Sequence, residues 1–196
     1  MVLKNRCDWC TSDPEYINYH DTEWGVPINE DQAFSEMLVL ESFQAGLRWI
    51  TILKKRANFK NAFDQFDYNK IAEYDQSKVE ELMQNKGIVR NRMKIEATIK
   101  NAKAFLAIQE EHGSFNDFIW AFVDNKPIIN RYKKLTDVPA QTAVSKTMAK
   151  SLKKNGFSFM GPITCYAFMQ ATGMVNDHLS DCFKHPDNLY LLPTTP

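Results

Sequence analysis

Apolar positions along this chain recur at helical rather than strand spacing, and strict two-residue alternation of strand length is hard to find. Phe34, Met37 and Leu38 fall at i, i+3 and i+4 of a stretch that opens at Asp31 and predicts a helix to about Gln44, before Gly46. A second helix is expected over roughly Leu47–Arg56. Ser77 with Glu80 reads as a capping box for a helix that stops near Gly87. Asn91–Glu111 predicts a longer helix ending before Gly113, and Ser114 with Asp117 starts a short one. Near the end, Ser145–Lys154 is stopped by Gly156, and Pro162–Thr172 by Gly173. Proline in the first turn and glycine just past the end are the expected asymmetry. No repeat or low-complexity linker interrupts the pattern. The expected fold is all-α, one domain over residues 1–196.

Composition changes this picture little. The 196 residues are 44% hydrophobic and 24% charged, ordinary for a globular protein. The first ten residues hold no apolar core of a secretory signal, and no run approaches the roughly 18 residues of a membrane span. A cytoplasmic protein without membrane attachment is the expectation, so the cysteines read as thiols or metal ligands rather than a disulfide framework.

A net charge of zero argues against a nucleic-acid partner, but its distribution does not. No acidic residue lies between Asp137 and Asp177, where Lys146, Lys150, Lys153 and Lys154 fall. Lys86, Arg90, Arg92, Lys94, Lys100 and Lys103 face a single acid, Glu96. These zones could form one phosphate-binding face or be ordinary solvated helix faces.

Two features carry chemistry. Cys7 and His20 near one end, with His178-x3-Cys182 near the other, supply two thiolates and two imidazoles, enough to close a tetrahedral zinc site joining both ends. Four protein ligands leave no position for a metal-bound water, so the role would be structural. Cys10 is an alternative to Cys7, since Cys7-x2-Cys10 is itself a ligand pair. His112 and His185 lack partners at metal spacing and are expected at the surface. Cys165 is expected in the core.

Second, Glu41 occupies the i+7 position of the Phe34 stripe, which points a carboxylate inward, where charge is costly unless paired or serving a ligand. Gln44-Ala45-Gly46-Leu47-Arg48-Trp49 follows, and Tyr16, Tyr19 and Trp24 fall upstream near His20. A cavity of such rings with one buried carboxylate suits a flat, electron-poor ring. The plainer alternative pairs Glu41 with Arg48 or Lys54 and packs the rings as core.

Together, Arg6-Cys7-Asp8-Trp9, Asp13-Pro14, Tyr19-His20-Asp21 and Glu23-Trp24-Gly25-Val26-Pro27 resemble the opening of the 3-methyladenine DNA glycosylase I family, a helix-hairpin-helix glycosylase group. Leu40-Glu41, Gln44-Ala45-Gly46-Leu47 and Trp49-Ile50-Thr51 look like its central motif. Gly156 to Pro162 and Asn176-Asp177-His178 look like its closing segment, so the resemblance runs from about residue 6 to 182.

The resemblance implies one structural zinc ion on Cys7, His20, His178 and Cys182. It implies that Glu41, Tyr19 and Trp49 recognise the excised base, with Tyr16, Trp9 and Trp24 as further walls. It also implies a helix-hairpin-helix element at about 151–172, where free N–H groups after the turn can hold a phosphate. The expected DNA contacts are Gln44, Leu47, Gly161 and Thr164. The activity implied is excision of 3-methyladenine from alkylated double-stranded DNA by a monomeric, monofunctional glycosylase, without a lysine nucleophile.

Ser42 and Arg48 depart from the family's usual Gly and Ser and leave fine substrate preference open. Asp177, beside a proposed metal ligand, is considered for activating the attacking water. The tail from Asn188 onward carries no assigned function. Two other readings stay open: a zinc-stabilised DNA-binding module, and a zinc hydrolase with an open coordination position.

Overall fold

The computed structural model describes residues 5–10 and 12–191; the end of the unassigned tail lies outside them. In chain order the longer elements are α1 (Pro14–Thr22), α2 (Asp31–Gln44), α3 (Trp49–Leu53), α4 (Arg56–Ala62), α5 (Tyr68–Ala72), α6 (Gln76–Gln84), α7 (Arg92–His112) and α8 (Phe115–Trp120). Then follow β1 (Ile128–Ile129), α9 (Ala143–Lys154), α10 (Pro162–Ala171) and β2 (Val175–Asn176), joined by short 3₁₀ turns.

Two helices, α2 and α7, divide the interior into two apolar cores. Phe34, Met37 and Leu38 of α2 pack with Phe105 and Ile108 of α7 and with α8, α9 and α10. Val39, Leu40 and Phe43, on the other side of α2, pack with Ile95 of α7 and the segment from Ile52 to Ile88. An α2 apolar nearly all round must be central, and this places Glu41 between the two cores.

Helix ends follow local chemistry. The Asn91 side chain accepts from the Lys94 N–H (3.2 Å) and opens α7, and Gly113 at φ +87° ends it. Ser114 Oγ accepts from the Asp117 N–H (2.9 Å) and opens α8.

Some expectations are corrected. The helix expected over Leu47–Arg56 is the shorter α3, which starts after Arg48 and ends at Leu53; the chain bends at Lys54–Lys55, and α4, which begins at Arg56, was not anticipated. The cap of α6 is Asp75, whose carboxylate accepts from Lys78 N–H (2.9 Å), and the Ser77–Glu80 box is not used. A longer side chain two positions upstream reaches the first-turn amides better placed. Helix α1 was not anticipated, although Asp13 caps it by accepting from Glu15 N–H (3.0 Å) and Pro14 begins it; its mixed aromatic and polar residues hide the period.

The all-α expectation also meets a two-residue parallel pair, Ile128 beside Val175 and Ile129 beside Asn176. His185 is buried rather than at the surface: Nε2 donates to the Asn130 carbonyl (3.0 Å) and Nδ1 accepts from Asp187 N–H (3.2 Å). Cys165 is buried as expected. No helix among the described residues is long and apolar enough to cross a membrane.

Gly173 is where the N-terminal segment meets α10. At φ +69°, a Cβ there would overlap the Val26 and Pro27 backbone, so only glycine admits the approach. Gly25 N–H donates to the Gln170 carbonyl (3.0 Å) and Ile28 N–H to the Thr172 carbonyl (3.2 Å), which fixes α1 beside α10. Arg56 adds a bridge, with 2.6 Å bonds to both Glu23 and Glu36.

Candidate active site and metal centre

Between α1, the end of α2, α3 and α10 lies a cavity of about 380 Å³, within the range of small-molecule sites. Trp9, Tyr16, Tyr19 and Trp24 line one side, and Glu41, Gln44 and Trp49 line another. These are the rings and the carboxylate singled out in the sequence. The rings hold one another edge-on: Trp9 meets Tyr16 at 5.5 Å and Trp24 at 5.0 Å between centroids. Tyr19 and Trp49 lie 5.3 Å apart. The Tyr16 hydroxyl accepts from Ile50 N–H (3.1 Å) and ties α1 to α3.

Glu41 is 3% exposed, and its Oε2 has no hydrogen-bond partner. Burial pushes its pKa up to about 8. Arg48 is exposed at the head of α3, and Lys54 pairs with Asp13 (2.7 Å). The indole N–H groups of Trp9 and Trp49 are likewise buried without partners. Unsatisfied buried groups are uncommon in native proteins, and three lining one cavity mark a place where a ligand with its own donors and acceptors completes the bonding.

The remaining wall comes from residues the sequence reading did not single out for the pocket: Leu135, Val138, Pro139 and Ala140, and from α10 Ile163, Tyr166, Ala167 and Gln170. Tyr166 and Gln170 sit four apart in a mostly apolar helix, which was the available signal. Asp177 also lines the cavity. Its carboxylate accepts from Tyr166 Oη (2.6 Å), Gln170 Nε2 (2.8 Å) and Asn130 Nδ2 (2.7 Å), an arrangement that anchors the wall.

Of the expected DNA contacts, Gln44 lines the cavity and Leu47 is 39% exposed in the turn that follows. Gln44 Nε2 donates to the Leu47 carbonyl (3.0 Å) and closes that turn, with Gly46 at φ +84°. Gly161 caps α10 and Thr164 lies in its first turn, apart from the cavity lining. Helix α9 presents Lys146, Lys150, Lys153 and Lys154 to solvent. The second basic zone is thinner than its sequence suggests. Arg92 is paired with Glu80 (2.7 Å), and Lys94 is buried.

Against the Trp9 and Trp24 side of the cavity lie Cys7, His20, His178 and Cys182, all buried, their ligand atoms within 4.8 Å of one another. Sγ of Cys182 lies 3.4 Å from His20 Nε2 and 3.5 Å from His178 Nδ1, and Cys7 Sγ lies 3.6 Å from His178 Nδ1. His178 Nε2 donates to the Trp24 carbonyl (3.0 Å), and His20 Nδ1 faces Asp21 Oδ1 (2.8 Å). Each bond fixes the ring proton on the outer nitrogen, so both inner nitrogens turn lone pairs toward the sulfurs. Asp21 is itself held by Arg6. The group can hold a metal ion. Cys10 is only part-buried and is not among the four.

Residues 9–185 match the methyladenine glycosylase family model. The chain belongs to the methyladenine glycosylase family. A DNA-3-methyladenine glycosylase of Haemophilus influenzae is 51% identical over 180 residues, covering 92% of this chain and 97% of that protein. A crystal structure of 3-methyladenine DNA glycosylase I superposes with a TM-score of 0.91 at 52% identity, covering 93% of this chain and 100% of the other. A variant of 3-methyladenine DNA glycosylase I in complex with 3-methyladenine superposes with a TM-score of 0.90 at 38% identity, covering 93% and 98% of the two chains. The helical architecture expected from the spacing is the architecture of these structures.

Proposed function

We propose that this enzyme releases 3-methyladenine from alkylated double-stranded DNA by hydrolysing the N-glycosidic bond, leaving an abasic site. The observation that carries the reading is the buried, partnerless Glu41 carboxylate in a cavity walled by Trp and Tyr rings. Alkylation at N3 gives the attached adenine a positive charge and weakens its bond to the sugar. The leaving base therefore needs no proton from the protein, and catalysis can rest on gripping and orienting it.

In this reading the nucleotide is extruded from the stack into the cavity. Trp49 and Tyr19 face its ring, and Tyr16, Trp9 and Trp24 close the other walls. Glu41 accepts hydrogen bonds from ring substituents and complements the charge. Water attacks the sugar carbon. Asp177 keeps Tyr166 and Gln170 in place through Oδ2, and its Oδ1 is occupied by Asn130.

DNA would be held by α9 and α10 as a helix-hairpin-helix element at about 151–172. Amides of the first α10 turn, at Gly161 and Thr164, face a backbone phosphate. Gln44 and Leu47 project where the extruded nucleotide leaves a gap. The lysines of α9 supply sequence-independent attraction.

Cys7, His20, His178 and Cys182 fit one zinc ion. Zn–S of about 2.3 Å and Zn–N of about 2.0–2.1 Å at tetrahedral angles place S and N about 3.6 Å apart, matching the 3.4–3.6 Å found. Such an ion would supply a cross-link and no activated water, since all four positions are filled by protein. A monomer in the cytoplasm completes the reading.

Incubating alkylated duplex DNA with wild type and Glu41→Gln and separating the freed bases tests this. Release of 3-methyladenine by wild type and a loss of tenfold or more in the variant is expected. Equal release by both would overturn the role of Glu41.

A further inference from the structure

A polar stripe runs along the buried face of α7. Lys94, Thr98 and Asn101 fall at i, i+4 and i+7, all buried. A lysine so placed sits outside its preferred surroundings, and burial lowers its pKa. Each end of the stripe grips a different loop.

At one end, Lys94 Nζ donates to the carbonyls of Phe43 (2.8 Å) and Ala45 (2.7 Å). These are the last carbonyls of α2, which a helix leaves without internal partners and where a cation is favoured. The turn so held is Gln44–Leu47, directly after the helix that carries Glu41.

At the other end, the Asn101 amide brackets one residue of the chain between α9 and α10. Its Nδ2 donates to the Ser158 carbonyl (3.0 Å) and its Oδ1 accepts from the Ser158 N–H (2.8 Å). The next residue, Phe159, holds a left-handed backbone at φ +59° with its ring exposed. A bulky residue in that conformation persists only where its neighbours fix it. Asn101 holds the residue immediately before it on both backbone groups.

The gripped turn after α2 reaches the cavity through Gln44, and the gripped chain before α10 leads directly into the helix whose Ile163 lines it. Seven residues of helix set the clamps about 10 Å apart along the axis of α7. We propose that Lys94 and Asn101 are a coupled pair of positioning residues, with α7 as the rigid spacer that keeps the Gln44–Leu47 turn and the Gly156–Gly161 hairpin in register on duplex DNA.

The inference rests on the proposed action on duplex DNA, and the experiment separates the two. KM and kcat are measured on alkylated duplex for wild type, Lys94→Met, Asn101→Leu and the double variant. Affinity for free 3-methyladenine is read from tryptophan fluorescence, with circular dichroism confirming the fold. Each single variant should raise KM about tenfold and leave free-base affinity within twofold. Because either loss alone breaks the register, the double variant should stay near tenfold instead of reaching a hundredfold.

Unchanged KM in a folded single variant, a matching loss of free-base affinity, or a multiplicative double variant would each overturn the proposal. Should Lys94→Met fail to fold, Lys94→Gln and Asn101→Asp, each keeping part of the bonding, should raise KM about threefold; no change would count against it. No base release by wild type would overturn the underlying reading itself.

Discussion

The Trp24 carbonyl accepts a 3.0 Å hydrogen bond from His178, 154 positions further along the chain. Trp24 lines the cavity, and the other ring nitrogen of His178 faces the two sulfurs. The bond therefore joins the cavity wall to the metal centre. Gly25 makes it possible, since a Cβ there would come within 3.2 Å of the His178 ring.

Chelation should accordingly cost more than a local loop. Purified protein is expected to hold about one zinc per chain by elemental analysis. A strong chelator, or Cys182→Ala, should lower the melting temperature by ten degrees or more, because binding energy at a structural site is folding energy. Free-base affinity should fall with it. A metal-free protein that melts normally would refute the structural role.

Glu41 predicts a pH dependence. Its folded pKa of about 8 lies above the ordinary 4.5, so the folded state holds a proton that the unfolded chain releases between these values. Stability of the ligand-free protein should therefore fall as pH rises from about 4.5 to 8. Glu41→Gln, which cannot ionise, should lose that slope and gain on wild type most at the alkaline end. Melting curves across this range decide it. Conversely, excision by wild type should strengthen toward pH 8 as the carboxylate forms, and the Gln variant should show a flat profile.

Removing the ring of Trp49 should reveal the stacking energy. Base stacking on an aromatic contributes about 1–3 kcal/mol, so Trp49→Ala should weaken binding of free 3-methyladenine by roughly 5- to 150-fold. Titration calorimetry measures this directly, and an unchanged affinity would remove Trp49 from the site.

Two glycines with positive φ should respond differently to alanine. Gly46 has open space where a Cβ would go, so Gly46→Ala carries only the backbone penalty of about 1 kcal/mol. Gly173→Ala meets the Val26 and Pro27 backbone and should cost clearly more, at least about 2 kcal/mol. Urea unfolding of both variants distinguishes them.

How far the sequence discloses this molecule depends on the range of the interaction. The inward placement of Glu41 was legible because it interrupts a helical stripe, and the grouping of Cys7, His20, His178 and Cys182 because their chemistry is rare. The remaining wall was not. Leu135 to Ala140 have no periodicity, and Tyr166 and Gln170 face the cavity only because α10 docks on α2. Lys94 misled in a useful way: among basic neighbours it reads as a phosphate contact, yet it bonds two carbonyls 49 and 51 positions away. His185 was misplaced for the same reason, since its partner at Asn130 is 55 positions distant. Composition carries no trace of such pairings.

The placement of the four cysteine and histidine residues also bears on how the molecule comes into being. A chain made from its N-terminus presents Trp9, Tyr16, Tyr19 and Trp24 early, while His178 and Cys182 leave the ribosome late. Until they do, His20 and Trp24 have only their N-terminal partners, Asp21 and Trp9, and lack the bond from His178. The aromatic residues of the wall are therefore made more than 150 positions before the cysteine and histidine that complete the cluster beside them.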